Sequence, residues 1–229
     1  MTHIEKITRT TDHPFLNFYE IEAVGRTGKT FPYYMASRSR SVGELRMYHP
    51  EKAPDGVAIF GVYKAAQDKA DPDGTTGRET DGDGCSEDRV VLIRQYRFPL
   101  GGYVYEFPAG LVEPGEDYHD TAVREMWEET GLHLDPVRTD PMYERGFLTT
   151  AGMTDESCGM VYGYCSGKPD LGNLEGSEDL EVILADRREA RRILREETAA
   201  LNCAYMLMRF VSESGDPLGF LPRLEKEGL

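Results

Sequence analysis

The sequence of 229 residues contains one tryptophan, few cysteines and no excess of basic residues. Cys85, Cys158, Cys165 and Cys203 are widely spaced without a CxxC pair, which argues against a zinc ribbon or a disulfide framework and favours reduced thiols in a cytoplasm. No apolar run approaches the ~18 residues that a membrane helix requires. The start of the chain, MTHIEKITRTTDHPF, lacks an apolar core segment, so we expect no secretory signal.

Acidic side chains dominate the charge, with 41 Asp and Glu against 26 Lys and Arg and a formal net charge of −15. A protein that binds nucleic acid by neutralising phosphates needs a basic face, and no basic stretch of that kind is visible in the sequence. We therefore expect neither nucleic acid nor a membrane as a partner. A substrate that carries phosphates would instead need a divalent metal, held by carboxylates, to offset its charge.

Apolar patterning predicts a layered α/β domain behind a small N-terminal antiparallel β subdomain. The subdomain is assigned to residues 1–52, the main domain to 53–213 and a tail to 214–229. Within the main domain, residues 67–88 are dense in Asp, Gly and Thr and are predicted as an acidic loop insertion. The predicted strands are Phe15–Ala23, Thr30–Ala36, Gly56–Tyr63, Val90–Arg94, Gly101–Phe107, Met142–Phe147, Ser157–Cys165 and Leu180–Ala185. The predicted helices are Glu116–Thr130, Arg187–Glu197 and Thr198–Glu213, the last with Thr198 as N-cap and with Leu201, Ala204, Tyr205, Met208 and Val211 at helical spacing.

The strongest signal lies in residues 110–132, GLVEPGEDYHDTAVREMWEETGL. At ~100° per residue, Glu125, Glu128 and Glu129 fall in one arc of the predicted helix. A separate apolar arc is assigned to the core: Ala122, Val123, Met126 and Trp127. Three carboxylates within one turn repel each other unless they are solvated or surround a cation, and hard oxygen ligands select Mg²⁺, Mn²⁺ or Ca²⁺. For the three glutamates alone, a solvated acidic face is the open alternative.

The turn before the helix favours the metal over the solvated face. The stretch matches G-x5-E-x7-R-E-U-x-E-E-x-G-U, where U is a bulky apolar residue, at every fixed position. The matching residues are Gly110, Glu116, Arg124, Glu125, Met126, Glu128, Glu129, Gly131 and Leu132. On this motif the chain resembles the Nudix hydrolases. Residues 94–116, 150–156 and 175–182 further resemble the ADP-ribose and ADP-sugar pyrophosphatase branch of that family.

The resemblance implies an α/β/α sandwich around a mixed sheet, and attack of water on a phosphorus of a nucleoside diphosphate linked to another group. It implies Mg²⁺, or in its place Mn²⁺, as the cofactor. Glu125, Glu129 and the backbone carbonyl of Ala109 are implied as ligands, and Glu128 as a further ligand through water or a second metal. The residues implied as supports of these ligands are Glu116 and Arg124.

The general base is implied in a later loop of the chain. Glu178 matches the family position, while Glu175 and Asp179 are close enough in sequence to take its place. Arg97 matches the arginine that holds the diphosphate. Arg94 either assists it or pairs with a neighbouring carboxylate.

Other substrate contacts are implied by the same branch. Glu106 would support the metal loop or the terminal sugar, and Leu111 would lie at the wall of the site. Aromatic residues of the N-terminal region stack on adenine in this branch, partly from the second subunit of a domain-swapped homodimer. Phe15 and Tyr33 match those positions, and Arg38 matches a substrate-binding arginine.

Two departures from the branch leave the preferred substrate open. Ala151 stands where the branch usually has a proline, and Phe15 and Tyr33 stand where it has tryptophans. The first hypothesis is hydrolysis of ADP-ribose, or of a related nucleoside diphosphate sugar, to AMP and a sugar phosphate. A close variant takes UDP-glucose or GDP-mannose. A non-catalytic sugar-nucleotide sensor would be expected to have lost some of its carboxylates, and an acidic interaction protein would require the motif to be accidental.

Overall fold

The computed structural model of the chain describes residues 1–64, 87–172, 174 and 179–222. The chain forms two compact units. One contains Met1–Asp55 and Gly146–Gly159, and the other contains Gly56–Arg145 and Met160–Leu229. The predicted insertion at 67–88 lies outside the described residues except for its last two positions. The predicted domain limits remain predictions.

The first unit is built on a three-stranded antiparallel sheet of β1 (His3–Arg9), β2 (Asn17–Val24) and β3 (Thr30–Ser37), with β2 in the centre. Alternate residues of β2 and β3 point to one side, where Tyr19, Ile21 and Met35 are buried together with Leu45. Short 3₁₀ turns at Val42–Glu44 and Arg46–Tyr48 follow the sheet. The predicted strands Phe15–Ala23 and Thr30–Ala36 are therefore confirmed.

The second unit contains most of an eight-stranded mixed sheet in which the strand order is β11-β5-β4-β10-β8, with β6 paired to β5 and β7 paired to β4. These strands are β4 (Gly56–Tyr63), β5 (Arg89–Arg97), β6 (Gly102–Glu106), β7 (Ala109–Leu111), β8 (His133–Pro136), β10 (Ser157–Ser166) and β11 (Leu180–Ala185). The strand β9 (Phe147–Leu148) pairs with the first residues of β10. The helices are α1 (Tyr118–Thr130), α2 (Pro141–Glu144), α3 (Arg187–Glu196) and α4 (Leu201–Ser212).

Helices cover both faces of this sheet. On one face, Ala122 and Met126 of α1 pack in a core with Ile59 of β4 and Val91 of β5. On the other face, α3 and α4 pack together and an α3 side chain reaches Tyr105 of β6. The predicted α/β/α sandwich with a mixed sheet is confirmed.

The helix that carries the three glutamates, α1, has clear boundaries. Asp117 caps its first turn by accepting a hydrogen bond from the backbone N–H of His119, and Gly131 ends it at φ 70°, where a residue without Cβ is favoured. Ala122 and Met126 are buried as predicted, but Trp127 is 42% exposed and stacks on the ring of His133. Val123 is 38% exposed as well. The assignment of Val123 and Trp127 to the core is wrong, because the buried stripe of α1 is narrower than the apolar arc of the sequence.

Residues 142–147 do not form the predicted strand. Asp140 caps a short helix through the N–H of Met142, with Pro141 at its first position, and β9 begins only at Phe147. This turn carries Glu144 inward, where its carboxylate contacts the buried ring of His119 at 3.1 Å. An Asp-Pro start and a buried polar contact override the apolar residues of this segment.

The last predicted helix is confirmed, but Thr198 is not its N-cap. The carbonyl of Thr198 accepts a hydrogen bond from Tyr105, and the N–H of Ala200 donates to Tyr105, so residues 198–200 run extended beside β6. The helix α4 begins at Leu201. Leu201, the first of the apolar residues noted at helical spacing, is 68% exposed. The buried side of α4 is formed instead by Cys203, Leu207 and Phe210.

The structure also bears on the expectations about membrane spans and cysteines. Among the described residues, no helix has the length and apolar character needed to span a membrane. Cys158, Cys165 and Cys203 are free thiols, and burial raises the pKa of Cys165 and of Cys203 to about 12. These two thiols are therefore protonated and unreactive near neutral pH.

Candidate active site

The site is built where the loop after β7 turns into α1. The carboxylate of Glu125 lies directly against the backbone of Gly110. A Cβ placed on Gly110 would come within 1.9 Å of the Glu125 carboxyl carbon and Oε1. Only a residue without a side chain fits beneath this carboxylate, which is a physical reason for glycine at the first position of the motif.

Glu129 meets the same strand one residue earlier. Its Oε2 accepts a hydrogen bond of 3.0 Å from the backbone N–H of Ala109, and the residue is 4% exposed. The side chain of Glu125 is also mostly buried, at 15% exposure, while that of Glu128 is 46% exposed. The open alternative of a solvated acidic face is therefore wrong for Glu125 and Glu129.

A single guanidinium links three carboxylates. Arg124 Nη1 lies 2.8 Å from Glu125 Oε1 and 3.1 Å from Glu128 Oε2. Its Nε and Nη2 donate to the two oxygens of Glu116, at 3.2 and 3.1 Å. This bidentate contact fixes the plane of the arginine, and the positive charge relieves repulsion among carboxylates that the sequence places within one helical turn.

Glu116 is held by more than the arginine. Its Oε2 also accepts hydrogen bonds from Thr121 Oγ1 at 2.7 Å and from the N–H of Glu113 at 3.2 Å. The hydrogen bonds from Arg124, and next those from Thr121, lower the pKa of Glu116 from 4.5 to about 2. Glu116 is thus anionic over the whole physiological range and serves as a fixed anchor for Arg124.

The chemistry of the donors fits a hard divalent cation. Glu125 and Glu129 both meet the 109–110 backbone, which brings two carboxylates and peptide carbonyls into one small region. Within the described ranges, no three His, Cys, Asp or Glu side chains stand in the arrangement of a metal site, and Arg124 contacts Glu125 and Glu128 directly. By ligand chemistry alone the carboxylate oxygens suit a hard cation, while the guanidinium of Arg124 balances the charge of Glu125 and Glu128 in this structure.

The two arginines predicted near the diphosphate lie on opposite faces of the sheet. Directly opposed residues of neighbouring strands share a face, and in β5 and β6 these pairs are Ile93 with Glu106 and Arg94 with Tyr105. Arg97 shares the face of Ile93 and donates from Nε to Glu106 Oε2 at 2.6 Å. This is the face that α1 covers.

Arg94 points to the face covered by α3 and α4. Its guanidinium lies 4.2 Å from the ring centre of Tyr103 and its Nη1 lies 3.4 Å from Glu181 Oε2. Of the two alternatives for Arg94, the structure shows the pairing with a neighbouring carboxylate.

Of the three carboxylates considered as general base, Asp179 alone belongs to the described residues; Glu175 and Glu178 lie outside them. The Asp179 Oδ2 accepts a hydrogen bond of 2.8 Å from Tyr103 Oη, and this bond raises the pKa of Tyr103. The carbonyl of Asp179 accepts from the N–H of Tyr96, directly across from β5. Asp179 thus serves as a hydrogen-bond acceptor on the Arg94 face, away from α1.

The predicted base-binding residues belong to the first unit. Phe15 is 77% exposed, and Tyr33 is 41% exposed with its hydroxyl donating to the carbonyl of Gly152 at 2.7 Å. Arg38 Nε donates to Glu156 Oε1 at 3.0 Å. Leu111, at the end of β7 in the second unit, is 46% exposed.

Sequence reasoning did not single out three residues that hold these groups: Thr121, Tyr103 and Glu156. Thr121 lies five residues from Glu116, which precedes α1, and helical spacing does not bring residues five apart to one face, so only the turn into the helix makes this contact. Tyr103 and Glu156 contact partners 76 and 118 residues away in sequence, and no local pattern marks such contacts.

Known proteins are similar to this chain in sequence. The NUDIX domain family matches residues 82–182. The ADP-ribose pyrophosphatase of Bacillus subtilis (strain 168) is 31% identical over 180 residues, which cover 76% of this chain and 83% of that protein. The methanol dehydrogenase activator of Bacillus methanolicus is 33% identical over 113 residues, which cover 49% of this chain and 59% of the activator. This chain therefore spans little more than half the length of the activator.

The fold has a solved counterpart as well. A crystal structure described as that of an ADP compounds hydrolase superposes with a TM-score of 0.56 at 15% sequence identity, covering 91% of this chain and 92% of that chain. At this identity the likeness concerns the fold.

Proposed function

Because the chain belongs to the Nudix hydrolase family, we propose that it hydrolyses the pyrophosphate bond of ADP-ribose or of a related nucleoside diphosphate sugar, releasing a nucleoside monophosphate and a sugar phosphate. The observation that carries the proposal is the insertion of Glu125 and Glu129 against the 109–110 backbone. Mostly buried carboxylates need compensating charge or hydrogen bonds, which Arg124 and the N–H of Ala109 provide here and which a bound cation would increase.

Divalent metal ions are the general cofactors of Nudix hydrolases, and Mg²⁺ is our proposal for this chain, with Mn²⁺ as a substitute. Glu125, Glu129 and the carbonyl of Ala109 would hold the ion, with Glu128 as a further ligand. When bound, such an ion would offset the charge of the diphosphate and would make water a better nucleophile. The chain itself supplies the geometry, because Gly110 leaves room for the Glu125 carboxylate.

Side chains around these ligands set their orientation. Glu116 fixes the guanidinium of Arg124, and Arg124 in turn holds Glu125 and Glu128. Arg97 is held through Nε by Glu106, which directs its terminal nitrogens to serve phosphate oxygens. These contacts support a site in which the diphosphate is gripped from the face that α1 covers.

Glu178 is the residue that we propose as general base. Asp179 is less suited, because its carboxylate accepts the Tyr103 hydroxyl on the opposite face of the sheet. Phe15, Tyr33 and Arg38 are proposed to recognise the nucleotide.

A panel assay tests the function. Purified protein with Mg²⁺ is incubated with ADP-ribose, ADP-glucose, UDP-glucose, GDP-mannose and NADH, and release of AMP, UMP or GMP is followed. We expect turnover to be highest with ADP-ribose or an ADP-sugar. Turnover restricted to UDP-glucose or GDP-mannose would reassign the base preference. Tight binding of a sugar nucleotide without any turnover would make the protein a sensor and refute the proposal.

Glu129→Gln provides the matched site variant. We expect a loss of turnover by a factor of about 100 or more with unchanged folding, since one metal-ligating charge is removed. Glu113→Gln, an exposed glutamate in the same stretch, is the control. Near-normal activity of Glu129→Gln would remove this residue from the metal site.

The proposal also covers the oligomeric state of the protein and its location in the cell. We propose a homodimer with exchanged N-terminal regions, in the cytoplasm, acting on a small-molecule sugar nucleotide rather than on nucleic acid or a membrane. Light scattering of the purified protein tests the dimer, and a monomer at micromolar concentration would contradict it.

A further inference from the structure

The segment 149–156 runs along the open edge of β3. The hydroxyl of Tyr33 donates to the carbonyl of Gly152 at 2.7 Å, and the N–H of Ala36 donates to the carbonyl of Met153 at 2.9 Å. The adjacent residues Gly152 and Met153 thereby contact β3 at Tyr33 and at Ala36. The segment fixes the edge strand from which Tyr33 and, just beyond it, Arg38 project.

The last residue of this segment holds Arg38. Glu156 Oε1 accepts a hydrogen bond from Arg38 Nε at 3.0 Å, and Glu156 Oε2 accepts one from Thr149 Oγ1 at 3.1 Å. Each carboxylate oxygen therefore has its own donor. The carboxylate is fixed from the segment side and cannot rotate without losing one of the two bonds, so its Oε1 restricts where Arg38 Nε can lie.

The contact through Nε leaves the far side of the guanidinium available. Within the part of the chain that the structure describes, Glu156 is the partner of the Arg38 side chain, and both terminal nitrogens are unused. The side chains are 39% and 34% exposed, so solvent reaches the pair. Two parallel N–H groups at a fixed angle are the arrangement that binds two phosphate oxygens at once.

The second unit repeats this local geometry. Arg97 Nε donates to Glu106 Oε2 at 2.6 Å, and the guanidinium of Arg97 is likewise held from its Nε side. Each unit thus presents an arginine fixed by a glutamate, in a chain whose net charge of −15 would otherwise repel an anion. A fixed guanidinium loses less conformational entropy on binding than a free one, which favours affinity.

We propose that Glu156 is a positioning residue that orients Arg38 to bind a phosphate group of the nucleotide substrate. The inference rests on the proposed function and adds to it a determinant of substrate affinity. Glu156 does not touch the substrate itself. It acts through Arg38, so its loss affects binding of the substrate rather than the chemical step.

Steady-state kinetics and metal-free binding of ADP-ribose test this role. We expect Glu156→Ala to raise KM, and the Kd measured by calorimetry in EDTA, about tenfold with kcat nearly unchanged, the equivalent of one charge-assisted hydrogen bond. Glu156→Gln keeps an acceptor for Arg38 Nε and should recover part of the loss. In an Arg38→Ala background, Glu156→Ala should add no further effect, because the residue through which it acts is gone.

Glu213→Ala is the matched control, because it removes another exposed Arg–Glu pair with the same 3.0 Å contact. It should leave KM and Kd unchanged. An unchanged KM and Kd in Glu156→Ala, a loss in kcat alone, or independent losses in the double variant would each overturn the inference. Binding of ADP-ribose without turnover by the unaltered protein would refute the proposed function, while the Kd comparison would still decide the role of Glu156.

Discussion

Adding a methyl group at Gly110 should disturb the candidate active site strongly and the stability of the fold only slightly. In Gly110→Ala, the new Cβ would lie 1.9 Å from the carboxyl carbon and Oε1 of Glu125 and 2.4 Å from its Cγ. Ordinary van der Waals contact begins near 3.4 Å, so the carboxylate must withdraw by roughly 1.5 Å. The three clashing atoms run from Cγ to the carboxylate of one side chain and none of them is backbone, so rotation of Glu125 can relieve the clash while the helix and the loop remain in place.

Gly110→Ala should change the free energy of unfolding little and kcat strongly. The φ of Gly110 lies outside the left-handed region, so alanine fits the backbone and stabilises by about 0.4–1 kcal/mol through the unfolded chain. This gain offsets the cost of moving Glu125, and we expect the free energy of unfolding to change by less than about 1 kcal/mol. A displacement of more than 1 Å in a metal-binding carboxylate should lower kcat by a factor of about 100 or more.

Chemical denaturation and hydrolysis of ADP-ribose measure the two quantities on the same preparation. Gly102→Ala is the control, because it adds the same methyl group on β6 with no atom within 4 Å. It should show the same gain of about 0.4–1 kcal/mol through the unfolded chain and leave turnover unchanged. If Gly110→Ala keeps a kcat close to that of the unaltered protein, the position of Glu125 is not required and the proposed metal site is wrong.

Glu116, Gly61 and Asp179 each allow a separate test. The pKa of Glu116 is lowered from 4.5 to about 2 in the folded protein, so its contribution to stability is complete above about pH 4.5 and is lost as the pH falls towards 2. Arg124→Gln should raise this pKa in an NMR titration. An unchanged pKa would show that Arg124 is not the cause of the shift. Gly61→Ala places a Cβ 2.5 Å from a buried sulfur atom and should cost about 1–3 kcal/mol in urea denaturation, whereas an unaltered midpoint would show that the core adapts. Asp179→Asn keeps an acceptor for Tyr103 and should retain turnover within about threefold, while a hundredfold loss would make Asp179 the base.

Much of the fold was predictable because it depends on neighbours close in sequence. Strand Leu180–Ala185 has the predicted limits, and α1 ends at Thr130 as its glycine at position 131 requires. The errors lie where a distant partner decides. Residues 198–200 bind the backbone of Tyr105 instead of starting a helix, and the short helix Pro141–Glu144 replaces a strand.

Part of the candidate site could likewise be predicted from neighbours in sequence, and part could not. Spacing on one helix places Glu125, Glu128 and Glu129 in one arc, and the motif by itself associates them with Gly110. Spacing could not show that Glu128 remains half-exposed while Glu129 is buried, because burial depends on which strand packs beside the helix.

The Nudix helix, its carboxylates and the strands with apolar periodicity could be predicted from the sequence, because each is set by residues within a few positions of one another. The placement of Arg94 and Arg97 on opposite faces, and the contact of Glu156 with Arg38, became visible in the folded chain. Sheet register fixes the first and chain topology fixes the second, since it brings together residues 118 positions apart. Contacts of that range are properties of the folded chain and leave no local pattern in the sequence.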